Sequence, residues 1–310
     1  MRGWHRPLLV NAALMAVVTV VSAVGMIVDD RTLLGSSVWL KPLKFGFAFF
    51  AYGVTMAWLL SKLRKGKRLG WWTGLVHAFC SVADVAVIAA AAALGTFSHF
   101  NTGTGTFDRT VQTVFTYGVP PILLSNVVIA VLVLRQRTGD RALNLAIRAG
   151  VALTTAGILA IFVLNFFLDT APRSAVNAAG ENVALLGGHG IGDTDGRGMA
   201  LTDWSTTGGD ARIPHFVGLH GIHALLLLTA VLGALAGRRA WLREEKVRAR
   251  LVGAFGFGYA GLFGVVAWQA GRGQPLIHPD TATLLAAAAI ALITAVWAAA
   301  VVLRAHKLAR

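Results

Sequence analysis

Residues 8–28 read LLVNAALMAVVTVVSAVGMIV and residues 282–303 read ATLLAAAAIALITAVWAAAVVL, and neither stretch holds a charged residue. A helix needs about 20 consecutive apolar residues to cross a bilayer, so both read as membrane helices. Working outward from them, the same reading gives eight spans, at 8–28, 37–60, 71–95, 111–134, 146–168, 214–236, 250–270 and 281–303. The composition agrees. Hydrophobic residues make up 56% and charged residues 14% of the 310, against about 25% charged in soluble domains, and mean hydropathy is +0.66. The expected fold is all-α, a polytopic transmembrane helical bundle forming a single domain over 1–310. This excludes a soluble enzyme, a disordered tail and a disulfide-stapled secreted domain. The lone cysteine, Cys80, excludes an intrachain disulfide and a four-cysteine metal or iron–sulfur site. The first apolar run is longer than the 7–15 residues of a signal-peptide core and reads as a retained helix.

Charge fixes the expected topology. Basic residues crowd the N-terminus (Arg2, Arg6), the 61–70 loop (Lys62, Arg64, Lys65, Lys67, Arg68) and the 135–148 stretch (Arg135, Arg137, Arg141, Arg148). They also crowd the 237–250 loop (Arg238, Arg239, Arg243, Lys246, Arg248, Arg250) and the C-terminus (Arg304, Lys307, Arg310). These alternate connections hold 20 of the 28 Lys and Arg residues. Positive loops stay cytoplasmic, which places both termini in the cytoplasm. The +14 formal charge therefore reflects topology and contact with anionic lipid headgroups, not nucleic acid. Trp4, Trp39, Trp71, Trp72, Trp241 and Trp268 fall near span ends, as interfacial tryptophans do.

One connection is long. Residues 169–213 form an outer, glycine-rich loop within the transmembrane domain, and loops of that length are usually functional or disordered. Its 174–186 segment reads as a short interfacial helix. No internal repeat is evident, so an inverted-repeat transporter lacks sequence support.

Several polar residues fall where lipid would surround them. Lys41 and Lys44 share one face of the second span, with Pro42 in its first turn. Lys41 can snorkel to headgroups. Lys44 lies roughly 10 Å deep and is read as facing inward. His77, Cys80, Ser81 and Asp84 form an i, i+3, i+4, i+7 stripe on the third span. Asp84 lies mid-membrane and must be protonated or paired. Lys44 is its expected partner, and Asp84 with His77 would form a proton relay or, alternatively, a polar clamp between helices. Pro120 and Pro121 break ladder bonds in the fourth span and free carbonyl groups. Asn126 and Asn165 read as interhelical hydrogen-bonding groups.

Six of the nine histidines fall on the outer half: His99, His189, His215, His220, His223 and His278. His99, His189, His215 and His220, with Asp210 as ligand or neighbour, form a candidate metal set for zinc, copper or iron. Hydrogen-bonded histidines lining a polar cavity, and unrelated surface histidines, are the competing readings. The spacing carries no His-Glu-x-x-His or Cys-x-x-Cys signature. A bis-histidine haem would need His77 and His223, whose depths differ by roughly 8 Å. Lys41, Lys44, Asn101, Arg212 and Gln269 are candidate contacts for an anionic or quinone-like small molecule. Lys307 lies past the last span, which argues against a retinal Schiff base, and no phosphate-binding loop of Walker type is present.

The strings WLKPLKF (39–45), SHFN (98–101), GHGIGDTDG (188–196), DWST (203–206) and GDARIPHFVGLH (209–220) resemble those of a family of uncharacterised bacterial polytopic inner-membrane proteins. The resemblance implies a bacterial cytoplasmic-membrane location and brings no activity and no catalytic residue. Three functional readings follow from the residues. One is a membrane-embedded redox or hydrolytic enzyme with a metal or haem at an outer-leaflet histidine and lysine site. Another is a transporter or small-ligand-binding protein with a proton-linked Asp84 and Lys44 path. A ligand-free assembly subunit is the third. Oligomeric state is not legible.

Overall fold

The computed structural model describes residues 3–164, 167, 171–193 and 198–308. Among these, eight helices are long and apolar enough to cross a membrane: α1 (Arg6–Val28), α2 (Leu40–Ser61), α3 (Lys67–Ala93), α4 (Thr106–Leu134), α5 (Arg141–Leu164), α6 (Arg212–Ala236), α7 (Glu245–Gly271) and α8 (Thr281–Leu308). The chain is an all-α, multi-pass integral membrane protein. Apolar side chains left uncovered by protein, such as Val17, Val20 and Ile27 on α1 and Leu285, Leu292 and Val296 on α8, are the surface that meets lipid.

The helices gather into two compact units. The first holds α1, α2, α3 and α4 as far as Leu132. It also holds a hairpin of β3 (Pro172–Val176) and β4 (Asn182–Leu186), these following β1 (Thr32–Leu33) and β2 (Ser36–Ser37) in the α1–α2 connection. Leu34 and Gly35 turn that connection with positive φ, the conformation that two-residue hairpin turns require. Asp29 ties it down. Its carboxylate accepts from Arg31 at 2.7 Å and from the Trp39 indole at 2.7 Å, which holds its pKa far below the usual carboxylate range.

The second unit holds α5 to α8 and a short ladder between β5 (Gly190–Ile191) and β6 (Gly209–Asp210). Its core joins Ala142, Ala146 and Leu153 of α5 to Leu225 and Leu232 of α6, Val252 of α7 and Val301 of α8. The tightest crossing is between α5 and α6. A Cβ on Gly218 would stand 2.4 Å from the Cα of Gly157, so the backbones touch there. Small residues permit such close approach in membranes, where packing rather than water expulsion drives association.

The two units share one packing device. A Cβ on Gly46 of α2 would stand 3.0 Å from the Met15 carbonyl and 2.7 Å from the Thr19 hydroxyl on α1. On Gly218 of α6 it would stand 2.9 Å from the Leu153 carbonyl and 2.4 Å from Gly157 on α5. Each glycine follows a first-turn proline, Pro42 or Pro214, by four residues.

One expectation changes. Residues 174–186 form most of an antiparallel β-hairpin, not a helix. The Asn177 side-chain oxygen accepts from the N–H groups of Ala179 and Glu181 at 2.9 Å each, and Gly180 takes φ +84°. An Asx turn followed by a left-handed glycine reverses the chain and ends any helix. The hairpin then pairs with residues 100–102 through Leu186 N–H to Phe100 and Thr102 N–H to Ala184. The α4 helix runs on through Pro120 and Pro121, which lack the N–H groups that would complete its ladder.

Candidate functional site

In the first unit a polar column runs along the faces of α1, α2 and α3. Asn11, His77, Ser81 and Asp84 are 1%, 1%, 0% and 3% exposed. His77, Ser81 and Asp84 of the α3 stripe are therefore buried against protein, as the spacing predicts, while Cys80 is half-buried. Asn11 on α1 donates to the Ser81 hydroxyl at 2.7 Å and to the Ala78 carbonyl at 3.3 Å. Ser81 donates back to the His77 carbonyl, the usual bond of a serine inside a helix. The His77 ring stands 5.6 Å from the Tyr52 ring and 6.3 Å from that of Phe49, both on α2. The Tyr52 hydroxyl donates to Asn126 on α4, and Asn126 donates to the Ile122 carbonyl at 3.2 Å.

Buried polar atoms are nearly always hydrogen-bonded, and this column breaks that rule. Oδ1 of Asp84 and Oδ1 of Asn11 have no partner, and neither ring nitrogen of His77 makes a well-formed hydrogen bond. Among the described residues Asp84 makes no ion pair, and the cation whose field reaches it is Lys41. The Lys44–Asp84 pair expected from sequence is not formed. Lys44 instead donates to the Thr202 carbonyl at 2.7 Å. A flexible four-carbon stem lets it leave the column for a backbone oxygen of the 198–204 segment.

At the Lys41 end sits His99, in the α3–α4 connection. Its ring lies 4.3 Å from that of Phe115 and 5.6 Å from that of Phe45. Burial, with the Lys41 charge beside it, holds its pKa well below the ordinary histidine value, so the ring is neutral at pH 7. Asn101, a candidate small-molecule contact, organises this loop. It donates to the Asp108 carboxylate at 2.7 Å and the Phe97 carbonyl at 3.0 Å, and accepts from the Gly103 N–H at 2.8 Å.

In the second unit the other candidates are engaged locally. Asp210 is fully buried. Its carboxylate accepts from the Ser205 N–H at 2.9 Å, from the Arg212 N–H at 2.9 Å and from the Arg212 guanidinium at 2.7 Å. Both residues thereby tie the 205–212 turn to the start of α6. Gln269 donates to the Pro275 carbonyl at 2.8 Å and shapes the α7–α8 connection. There Arg272 pairs with Asp280 at 2.7 Å and lies over the Trp268 ring. The backbone of His189 accepts from the Ala211 N–H at 3.1 Å. His215 bonds the Gly157 carbonyl at 2.9 Å through Nδ1.

The five residues read as one metal set divide between the two units. His99 belongs to the first unit and His189, Asp210, His215 and His220 to the second. Among the described residues no three His, Cys, Asp or Glu side chains converge as metal ligands. His77 and His223, the pair weighed for haem, likewise belong to different units. Asn165, and Thr194, Asp195 and Gly196 of the 188–196 string, lie outside the described residues. The sequence reading missed Asn11 and Tyr52 as members of the column. Their signal is present, since both are polar groups inside apolar spans, where such residues face protein. The chain matches no protein-family model, no curated protein and no solved structure.

Proposed function

We propose that this protein is a proton-linked membrane transporter or small-ligand-binding protein. In this reading Asp84 takes up and releases the proton and His77 relays it. The observation that carries the reading is the partner-free Oδ1 of Asp84, 3% exposed, within a span. Burial away from water disfavours the charged carboxylate, and in this reading the resting group carries a proton. It becomes an anion only when a nearby positive charge offsets that cost, and Lys41 is placed to supply it. His77, about two turns away on the same face of α3 and short of hydrogen bonds, is the next group able to hold a proton.

The ligand end is the Lys41, Lys44 and His99 cluster, whose two cations suit a small anion or a quinone-like molecule. The loop charges orient this end to the outside, with both termini in the cytoplasm. A bacterial cytoplasmic membrane belongs to the same proposal. The experiment is proton movement in proteoliposomes enclosing a pH-sensitive dye, challenged with inorganic phosphate, small carboxylates and a short-chain quinol. A ligand-dependent signal lost in Asp84→Asn supports the reading. A signal of unchanged size in that variant removes Asp84 from the mechanism.

A further inference from the structure

A second feature belongs to the second unit. α6 carries His215, His220 and His223. The bond from His215 Nδ1 to the Gly157 carbonyl fixes its tautomer, since a carbonyl oxygen can only accept. His220 and His223 lie one turn apart, their ring centroids 5.2 Å from each other and their planes at 42°. Phe216 packs on His220 from the preceding turn, at 4.3 Å between centroids. Nε2 of His220 is buried and has no hydrogen-bond partner. A buried imidazole nitrogen without a partner calls for an explanation, and the paired ring beside it provides one.

We propose that His220 and His223 form a two-imidazole site for a divalent transition-metal ion of the zinc, nickel and copper class. The separation of the rings is the one such an ion requires. A zinc–nitrogen bond of about 2.0–2.1 Å puts the ring centre about 3.2 Å from the metal, and two rings at a tetrahedral angle then stand about 5.2 Å apart. Residues three apart on a helix already have neighbouring side chains, so the backbone need not move to bring the rings together. Imidazole suits all three metals. Among the described residues no third His, Cys, Asp or Glu joins the pair. Two positions of a tetrahedral ion are therefore left for water or small anions. The site differs from the set read from the sequence, which omitted His223 and included Asp210.

The test uses the purified full-length protein in detergent, with any affinity tag removed, stripped with a chelator and titrated with Co²⁺. The expected result is one equivalent bound, with the visible absorption of a tetrahedral nitrogen site. Binding should weaken at least about tenfold in His220→Gln and in His223→Gln and stay unchanged in His278→Gln. It should weaken below pH 6, because the ligands must be deprotonated. Equal Co²⁺ binding by wild type and both α6 variants, or none by wild type, overturns the proposal. If a variant does not fold, X-ray absorption on the zinc-loaded wild type decides. Two imidazole ligands support the site, and one or none overturns it.

Discussion

Gly218→Ala adds a single methyl group at the closest crossing in the second unit. That methyl would stand 2.4 Å from the Cα of Gly157, 2.8 Å from its nitrogen and 2.9 Å from the Leu153 carbonyl oxygen. All three are backbone atoms, so no side chain can rotate away. Carbon atoms at rest stand about 3.5–4.0 Å apart, which means α5 and α6 must separate by about 1 Å or more. Two bonds span this crossing and would stretch, His215 to the Gly157 carbonyl at 2.9 Å and Thr154 to the Leu219 carbonyl at 3.4 Å. Overpacking costs roughly 1–3 kcal/mol, and a lost hydrogen bond adds about 1 kcal/mol. Alanine's better helix propensity returns at most about 1 kcal/mol. The expected net loss is about 1–3 kcal/mol, several degrees of melting temperature at the usual scaling. Melting in detergent, followed by tryptophan fluorescence, measures it. Gly233→Ala on the same helix is the control, since nothing lies within 4 Å of its added carbon, and it should melt at or slightly above wild type. If Gly218→Ala melts with Gly233→Ala, the backbone contact between α5 and α6 does not exist as described.

Three further outcomes are expected. Asp210→Asn removes the buried carboxylate that pairs with Arg212. Arg212 keeps 27% of its side chain exposed, so the loss should be roughly 2–3 kcal/mol, under the 3–5 typical of a fully buried pair, and is read from the same melts. His5 caps α1 by accepting from Leu8 N–H at 3.3 Å through Nδ1 and bonds the Trp71 carbonyl at 2.9 Å through Nε2. Burial lowers its pKa from the ordinary 6.5. Below that value the unfolded chain binds the extra proton first, so this contribution is intact above pH 6.5 and is lost as pH falls. His5→Asn keeps a capping side chain, so its melting temperature should fall less between pH 7.5 and 5.5 than that of wild type; an equal fall contradicts the assignment. In a Cys80→Ser background, a cysteine at Lys65 should react with impermeant reagent only from the cytoplasmic side and one at Ala179 only from outside. The reverse pattern inverts the topology.

The eight helices were legible because a 20-residue apolar run has one common solution in lipid, and their ends moved by only a few residues. The α3 stripe was legible for a similar reason, since polar groups spaced i, i+3, i+4, i+7 share one face that lipid rejects. The hairpin at 172–186 was misread because alanine and leucine lent it helix propensity, while Asn177 and Gly180 decided the turn. The common device of the two units hides in two positions four apart, Pro42 with Gly46 and Pro214 with Gly218, too few to register as a repeat. The candidate site was legible by residue type and not by partner. Asp210 and Arg212 were read as ligands for outside groups and instead satisfy each other. Asn101 gives its amide to the Asp108 carboxylate and the Phe97 carbonyl, and Gln269 gives its amide to nearby backbone. Lys44 chose a carbonyl in a segment more than 150 residues away, which no local pattern can show.

The central claim is that Asp84 holds a proton in the resting protein and is its exchangeable site. Infrared difference spectroscopy of the protein in lipid, in the carbonyl-stretch region of protonated carboxyl groups, tests this directly. The account expects a band at pH 7 that shifts in heavy water, disappears in Asp84→Asn and is replaced by carboxylate absorption as pH is raised. A wild-type spectrum without that band at pH 7, or with a band that Asp84→Asn leaves in place, would contradict it.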